Sequence, residues 1–213
     1  MPEILYQTEQ AVVCVKPIGA ASQGDAPTAM PQLLAAQLGC EVFPVHRLDQ
    51  AVGGVMVYAR TREEAARLTA QLGCGAIEKT YLAVVCGEVV QARGTLEDLL
   101  FHDRTRNKTY VVGRKRAGVK QARLHYELLQ TRDGLSLVRV QLETGRTHQI
   151  RVQFASRALP LLGDGKYGSR DKRCTCALWA YRLRLPFGTF TAQPPQTFPW
   201  TVFSQIARGP EDI

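Results

Sequence analysis

The Asp133-Gly134 pair, with a β-like run on each side, constrains this chain more than any other feature of its sequence. Residues 122–130 (ARLHYELLQ) and 135–143 (LSLVRVQLE) flank a Thr-Arg-Asp-Gly step. Asp-Gly between two such runs is a strong signal for an antiparallel hairpin. Further β-like runs occur at 11–16 (AVVCVK), stopped by Pro17 and Gly19, at 53–59 (GGVMVYA), at 79–86 (KTYLAVVC), closed by Gly87, and at 177–185 (ALWAYRLRL). Helical patterns are fewer. Residues 28–38 read as a helix with Thr28 as N-cap, Pro31 in the first turn and Gly39 after its end. Thr61 caps a second helix that ends at Gly73, with Glu63 and Glu64 suiting its dipole. A third is expected from about Thr147 to Arg157, with Thr147 as its cap. The Pro-rich stretch 194–199 reads as extended surface chain. Strands outnumber helices, which predicts an α+β fold: a mixed, mainly antiparallel sheet with flanking helices. No repeat or composition shift divides the 213 residues, so one domain spanning 1–213 is expected.

The charge balance points to a partner. Lys and Arg number 27 against 19 Asp and Glu, a formal net charge of +8, which favours a polyanion. The bias is concentrated between Arg104 and Arg123. That interval holds Arg104, Arg106, Lys108, Arg114, Lys115, Arg116, Lys120 and Arg123 with no acidic residue, and Tyr110 lies among them. Such a loop can follow a nucleic-acid backbone, although an ordinary solvated basic hairpin would read the same way. No apolar run approaches the roughly 20 residues that span a bilayer, and the N-terminus lacks a signal-peptide pattern. A cytoplasmic protein without membrane association is therefore expected. The six cysteines lack both a secretory context and zinc-ligand spacing, so neither disulfides nor a metal site is expected. Cys14 and Cys86 sit in apolar runs and read as small core residues.

Three segments carry candidate chemistry. His46-Arg47-Leu48-Asp49 precedes a Gly-Gly step and an apolar strand, which places Asp49 on a loop at a strand's edge. Taken alone, Asp49 could simply satisfy turn amides. In Thr144-Gly145-Arg146-Thr147-His148-Gln149-Ile150-Arg151, His148 and Arg151 lie three apart on one helix face, with Ile150 and Phe154 on another. A surface helix with solvated basic residues is the plain alternative. Lys79-Thr80-Tyr81 opens a strand, where Tyr81 would serve as a core or rim aromatic.

Together these segments resemble one family. HRLDQAVGG at 46–54, KTYLAVVCGEV at 79–89, TGRTHQIRVQFA at 144–155, LLGDGKYG at 161–168 and VVCVKPIG at 12–19 resemble, in order, motifs of the RluA-like RNA pseudouridine synthases. The resemblance runs from about residue 10 to residue 185. It implies an isomerase that converts uridine in ribosomal or transfer RNA to its C-linked isomer without metal or organic cofactor, acting as a monomer. It assigns Asp49 as nucleophile, Arg151 as the arginine paired with it, and Tyr81 as the tyrosine against the target base. It also suggests that Arg47 helps hold a flipped nucleotide. His46 reads either as a packed histidine or as a substrate contact, while Arg146, His148 and the basic cluster Arg104, Arg106, Lys108, Arg114, Lys115 and Arg116 are candidate RNA contacts. Because the matching core begins within the first dozen residues, the accessory N-terminal S4-like domain of many relatives is expected to be missing.

The sequence departs from the family pattern in three places. Val52 and Gly53 replace a Thr-Ser pair, Gln153 replaces a His, and Trp179 replaces the His of a Leu-His-Ala step. These leave open an RNA-binding protein that has lost the chemistry, with Gly53 adding flexibility near Asp49. A glycosidase-like hydrolase would want two carboxylates across the bond, and only Asp49 sits in a catalytic-looking motif. Asp164, in the second Gly-Asp turn, reads as structural.

Overall fold

The computed structural model describes residues 1–204, and the chain divides into two compact units. Unit 1 comprises Met1–Thr80 and Trp179–Pro194; unit 2 comprises Tyr81–Leu178 and the described residues from Pro195 onward.

In unit 1, β1 (Glu3–Gln7) and β2 (Ala11–Lys16) form an antiparallel pair, and β2 also pairs antiparallel with β4 (Gly53–Ala59). The short β3 (Phe43–Pro44) pairs with the far end of β4, at Tyr58 and Ala59. β10 (Leu178–Leu185) pairs parallel with the near end of β4, at Gly53 and Gly54, and antiparallel with β11 (Gly188–Thr191). All seven residues of β4 are buried, as the continuous apolar run GGVMVYA requires of a strand covered on both faces. Helix α1 (Met30–Leu38) buries Met30 and Leu34, and α2 (Arg62–Gly73) buries Leu68.

Unit 2 carries β5 (Glu78–Cys86, of which Tyr81 onward belongs here), β6 (Arg93–Asp103), β7 (Lys108–Val112), β8 (Val119–Arg132) and β9 (Leu135–Leu142), in the spatial order β5-β9-β8-β6-β7. The β8–β9 hairpin turns at Asp133 and Gly134, whose φ angles are 52° and 70°. Positive φ at both central residues defines the type I′ turn that Asp-Gly favours. Helix α3 (Gln149–Ala155) and the 3-10 turn Gly165–Tyr167 complete the part of this unit that concerns the site. The expected mixed, mainly antiparallel α+β architecture is thus present, with three α-helices among the described residues.

Several local expectations are corrected. Thr28 does not cap α1. Ala29 stands at the N-cap, and the loop carbonyl of Ala21 accepts from Met30 N at 2.8 Å, so no side-chain cap is needed. Thr61 does cap α2, accepting from Glu64 N at 3.1 Å. Helix α3 starts at Gln149, not Thr147. His148 is its N-cap in the left-handed region, and the Gln149 side chain reaches back to Arg146 N at 2.9 Å. Nor is α3 a surface helix, because every residue from Gln149 to Phe154 is buried. The interval 104–123 is not one loop; it contains β7 and the start of β8. The stretch 194–199 is not simply exposed: Pro194 and Pro199 are buried, and the chain continues into a 3-10 turn, Trp200–Val202, with Trp200 and Phe203 buried.

Candidate active site

The Asp49 segment belongs to unit 1 and is built as a braced turn. Val52 N donates to the Asp49 carbonyl at 2.9 Å, closing the turn before β4. The carbonyls on either side of Asp49 are both held. Ser22 Oγ donates to Leu48 O at 2.9 Å, and Lys16 Nζ donates to Gln50 O at 3.3 Å. Gly19 N adds a 2.8 Å bond to Gln50 O, and Gln50 Nε2 returns one to Gly19 O at 2.9 Å. The loop after β2 and the Asp49 turn therefore clasp each other. Asp49 itself is half-buried.

Lys16 is the centre of that clasp. Its residue surface is 0% exposed, yet its ammonium also donates to Pro17 O at 3.0 Å and Ala20 O at 2.6 Å. Three carbonyls satisfy its three donors, which is what a buried ammonium requires. Burial lowers its pKa from 10.5 to about 8, and the negative charge of Asp49 opposes that fall. The electrostatic link between Lys16 and Asp49 was not legible in the sequence, although Lys16 lies within the family-like segment VVCVKPIG at 12–19.

His46 has a packing role. β4 is paired with β10 at Gly53 and Gly54 and with β3 at Tyr58 and Ala59; between these, Val57 N donates to His46 Nε2 at 3.2 Å. Burial, then the nearby Lys79, pushes its pKa down to about 3. A ring neutral at ordinary pH suits an acceptor for a backbone N–H. Arg47, next to it, is exposed.

The departures at Gly53 and Trp179 answer each other. A Cβ on Gly53 would lie 2.4 Å from Trp179 Cζ3, inside the indole ring's contact distance. The indole is fixed by Nε1 donating to Ala192 O at 2.8 Å. Gly53 therefore provides room rather than flexibility. At Gly54, φ is +121° and a Cβ would lie 2.2 Å from Ala180 O, so only glycine fits.

Arg151 and Tyr81 belong to unit 2. Both are buried, Arg151 at 7% exposure. Asp164 accepts from Arg151 Nε at 2.7 Å and Nη2 at 2.8 Å, a bidentate fork. The Arg151 guanidinium carbon also stands 5.1 Å from the centroid of the Tyr167 ring. His148 is buried beside it, its Nδ1 2.9 Å from the Tyr167 hydroxyl. Arg146 is half-buried and donates from Nε to Gln121 O at 3.0 Å.

Within the basic interval, Arg104, Arg106, Arg114, Lys115, Arg116 and Lys120 are exposed and Lys108 is half-buried. Arg104 and Arg106 sit at the β6–β7 turn, and Arg114, Lys115 and Arg116 in the β7–β8 loop. The fold moderates the charge bias seen in sequence. Arg123 lies 3.8 Å from Glu97 and 3.7 Å from Glu143, and Arg106 lies 3.9 Å from Asp103. Arg116 rests 4.9 Å over the Phe101 ring. Among the described residues, no group of three or more His, Cys, Asp or Glu could hold a metal ion, and no helix is long and apolar enough to cross a membrane.

Comparison with known proteins places these residues in a family. The family described as RNA pseudouridylate synthase matches residues 10–156. An uncharacterized RNA pseudouridine synthase of Bacillus subtilis, YhcT, is 35% identical over 180 residues, which cover 80% of this chain and 59% of that protein. Ribosomal large subunit pseudouridine synthase D of Pseudomonas aeruginosa is 37% identical over 178 residues, covering 79% of this chain and 54% of its own. The chain thus spans a little over half the length of these curated relatives. Among solved structures, human RNA pseudouridylate synthase domain containing 4 shares the fold, with a TM-score of 0.78 at 22% identity, over 94% of this chain and 91% of the other.

Proposed function

The chain belongs to the RNA pseudouridylate synthase family, and on that premise we propose that it isomerises uridine to pseudouridine in RNA, with Asp49 as nucleophile. The N-glycosidic bond to N1 breaks and a carbon–carbon bond from C5 forms. The C5 proton leaves and N1 gains one, so the reaction is redox-neutral and calls for no electron carrier. The catalytic domain comprises residues 1–213, both units included.

The observation that carries this reading is the construction of the Asp49 turn. A catalytic carboxylate must be ionised and held still. Lys16 supplies a positive charge linked electrostatically to Asp49, and Ser22 and Lys16 hold the carbonyls of its two neighbours, Leu48 and Gln50. A loop aspartate that merely satisfied turn amides would not call for a fully buried lysine beside it. Arg151 stands in the proposal as the guanidinium that favours the ionised carboxylate. Tyr81 is the ring against the flipped base, its hydroxyl a candidate acceptor of the C5 proton. Exposed Arg47 would contact the displaced nucleotide, since a base must leave its stack to reach a protein side chain. Arg146, His148 and the basic hairpins are proposed RNA contacts, and the substrate is ribosomal or transfer RNA. The sequence retains Asp49, Tyr81 and Arg151 beside the Gly53–Trp179 exchange, which has a packing explanation that needs no loss of chemistry.

The test uses purified protein with total RNA made without pseudouridine, and carbodiimide-dependent primer-extension stops as readout. Stops that appear with the wild type and vanish with Asp49→Asn are expected. RNA that is bound but never modified, by wild type and variant alike, would leave a binding protein on a retained fold.

A further inference from the structure

In the sequence Asp164 reads as a structural residue and Tyr167 has no role of its own, yet both hold Arg151. A guanidinium is planar, so two constraints fix it: rotation within its plane and tilt of that plane. Asp164, 2% exposed, sets the first through its fork to Nε and Nη2. The Tyr167 ring, 5.1 Å from the guanidinium carbon, sets the second.

Tyr167 also has a second set of contacts, made by its hydroxyl. It accepts from Thr109 N in β7 at 2.8 Å and lies 2.9 Å from His148 Nδ1 at the start of α3. Thr109, itself buried, donates from Oγ1 to Thr147 O at 2.8 Å, and its hydroxyl lies 3.1 Å from His102 Nδ1 in β6. The adjacent Lys166 donates to Asn107 O, in the β6–β7 turn, at 2.9 Å. The turn that carries Arg104 and Arg106 is thereby fastened to the residue lying on Arg151.

We propose that Asp164 and Tyr167 are positioning residues for Arg151, and that the Tyr167 hydroxyl ties the basic β6–β7 turn to that guanidinium. RNA seated on the turn then bears on the orientation of Arg151. A tyrosine that served only to pack the turn would need its ring and not its hydroxyl, whereas this arrangement needs both. The inference rests on the proposed isomerase activity and adds two residues to its machinery.

The experiment compares full-length wild type, Tyr167→Phe and Asp164→Asn. It measures pseudouridine formation for kcat and KM, unfolding temperature, and proton exchange at Arg151 Nε–H by arginine side-chain NMR, assigned from its loss in Arg151→Lys. Tyr167→Phe keeps the ring and should lower kcat about tenfold, the scale of one hydrogen bond, with KM little changed. Asp164→Asn should lower kcat about a hundredfold, as loss of a charge-assisted fork implies. Both should speed exchange at Arg151 Nε–H. A Tyr167→Phe kcat equal to wild type, a loss lying wholly in KM, or a kcat loss with exchange unchanged overturns the proposal. If Asp164→Asn does not fold, Tyr167→Phe decides. If the wild type modifies no RNA, the activity reading falls, and exchange at Arg151 alone judges the positioning, unchanged rates counting against it.

Discussion

Lys16 shows how much of the site is settled by one buried charge. Its folded pKa of about 8 lies below the ordinary 10.5, because burial disfavours the charged form more than Asp49 supports it. Between those two values the unfolded chain binds more protons than the folded one, so stability rises with pH across that window. Activity should move the other way. Below about 8 the ammonium is charged and brings its full set of donors to the clasp that holds the Asp49 turn; above it that charge is lost. Lys16→Met fills similar volume without charge or donors. It should lower kcat about tenfold, the scale of a lost hydrogen-bonded contact. It should also erase both the alkaline fall in kcat near pH 8 and the alkaline rise in stability, read from kcat–pH and urea-unfolding series. A variant retaining the wild-type kcat profile would show that Lys16 does not act on Asp49. The sequence displayed Asp49, Arg151 and Lys16 through the motifs around them, but not what Lys16 holds, nor Ser22 at all. The contacts of Ser22 with Leu48 and of Lys16 with Gln50 span 26 and 34 residues, and no local pattern encodes them.

At the scale of elements, β4 and β10 show why some departures from a family pattern are only legible in three dimensions. Read singly, Gly53 suggested a more flexible loop and Trp179 was only a departure from a Leu-His-Ala step. Their pairing across parallel strands makes them one adjustment: the small residue accepts the large one. Gly53→Ala should therefore destabilise the wild type by about 1–3 kcal/mol through overpacking. The same change beside Trp179→His should cost much less, giving a coupling of about 0.5–3 kcal/mol in a double-mutant cycle by urea denaturation. Additive losses would refute the pairing. The apolar runs 11–16 and 53–59 announced β2 and β4, and Asp-Gly announced the β8–β9 hairpin, because burial and turn chemistry each leave a local signature. β6 and β7 left none. β6 buries only Leu96 and Leu100 and β7 only Thr109, the rest being half-buried or exposed, and the basic residues around β7 let it pass for part of a charged loop. Helix α3 misled for the opposite reason. Gln149, Arg151 and Gln153 look solvated but are buried with partners, Gln153 Nε2 donating to Asp98 at 2.7 Å.

For the molecule as a whole, the question is which part of a net charge of +8 meets RNA. Composition cannot say, because ion pairs remove some of the cations from the count. Arg123 is shared by Glu97 and Glu143, and Arg157 is held by Asp98 at 2.9 Å. Surface pairs of this kind add little stability, but they lower the local potential that a phosphate would feel. What remains is a group of exposed cations in the β7–β8 loop, Arg114, Lys115 and Arg116, together with the β6–β7 turn. Each phosphate neutralised on a single strand contributes about 0.7 to the slope of log affinity against log salt, and on a duplex about 0.9. Replacing Arg114, Lys115 and Arg116 together by Gln should flatten that slope by about 2 to 3 and weaken binding alike for every RNA sequence. With RNA saturating, kcat should persist, because none of the three belongs to the Asp49 clasp or to the group around Arg151. An Arg123→Gln variant, its charge already shared by two carboxylates, should change the slope far less. Equal effects from the two variants would mean that RNA displaces Glu97 and Glu143 from Arg123 on binding, and the contact surface would then extend along β8 rather than end at the loop.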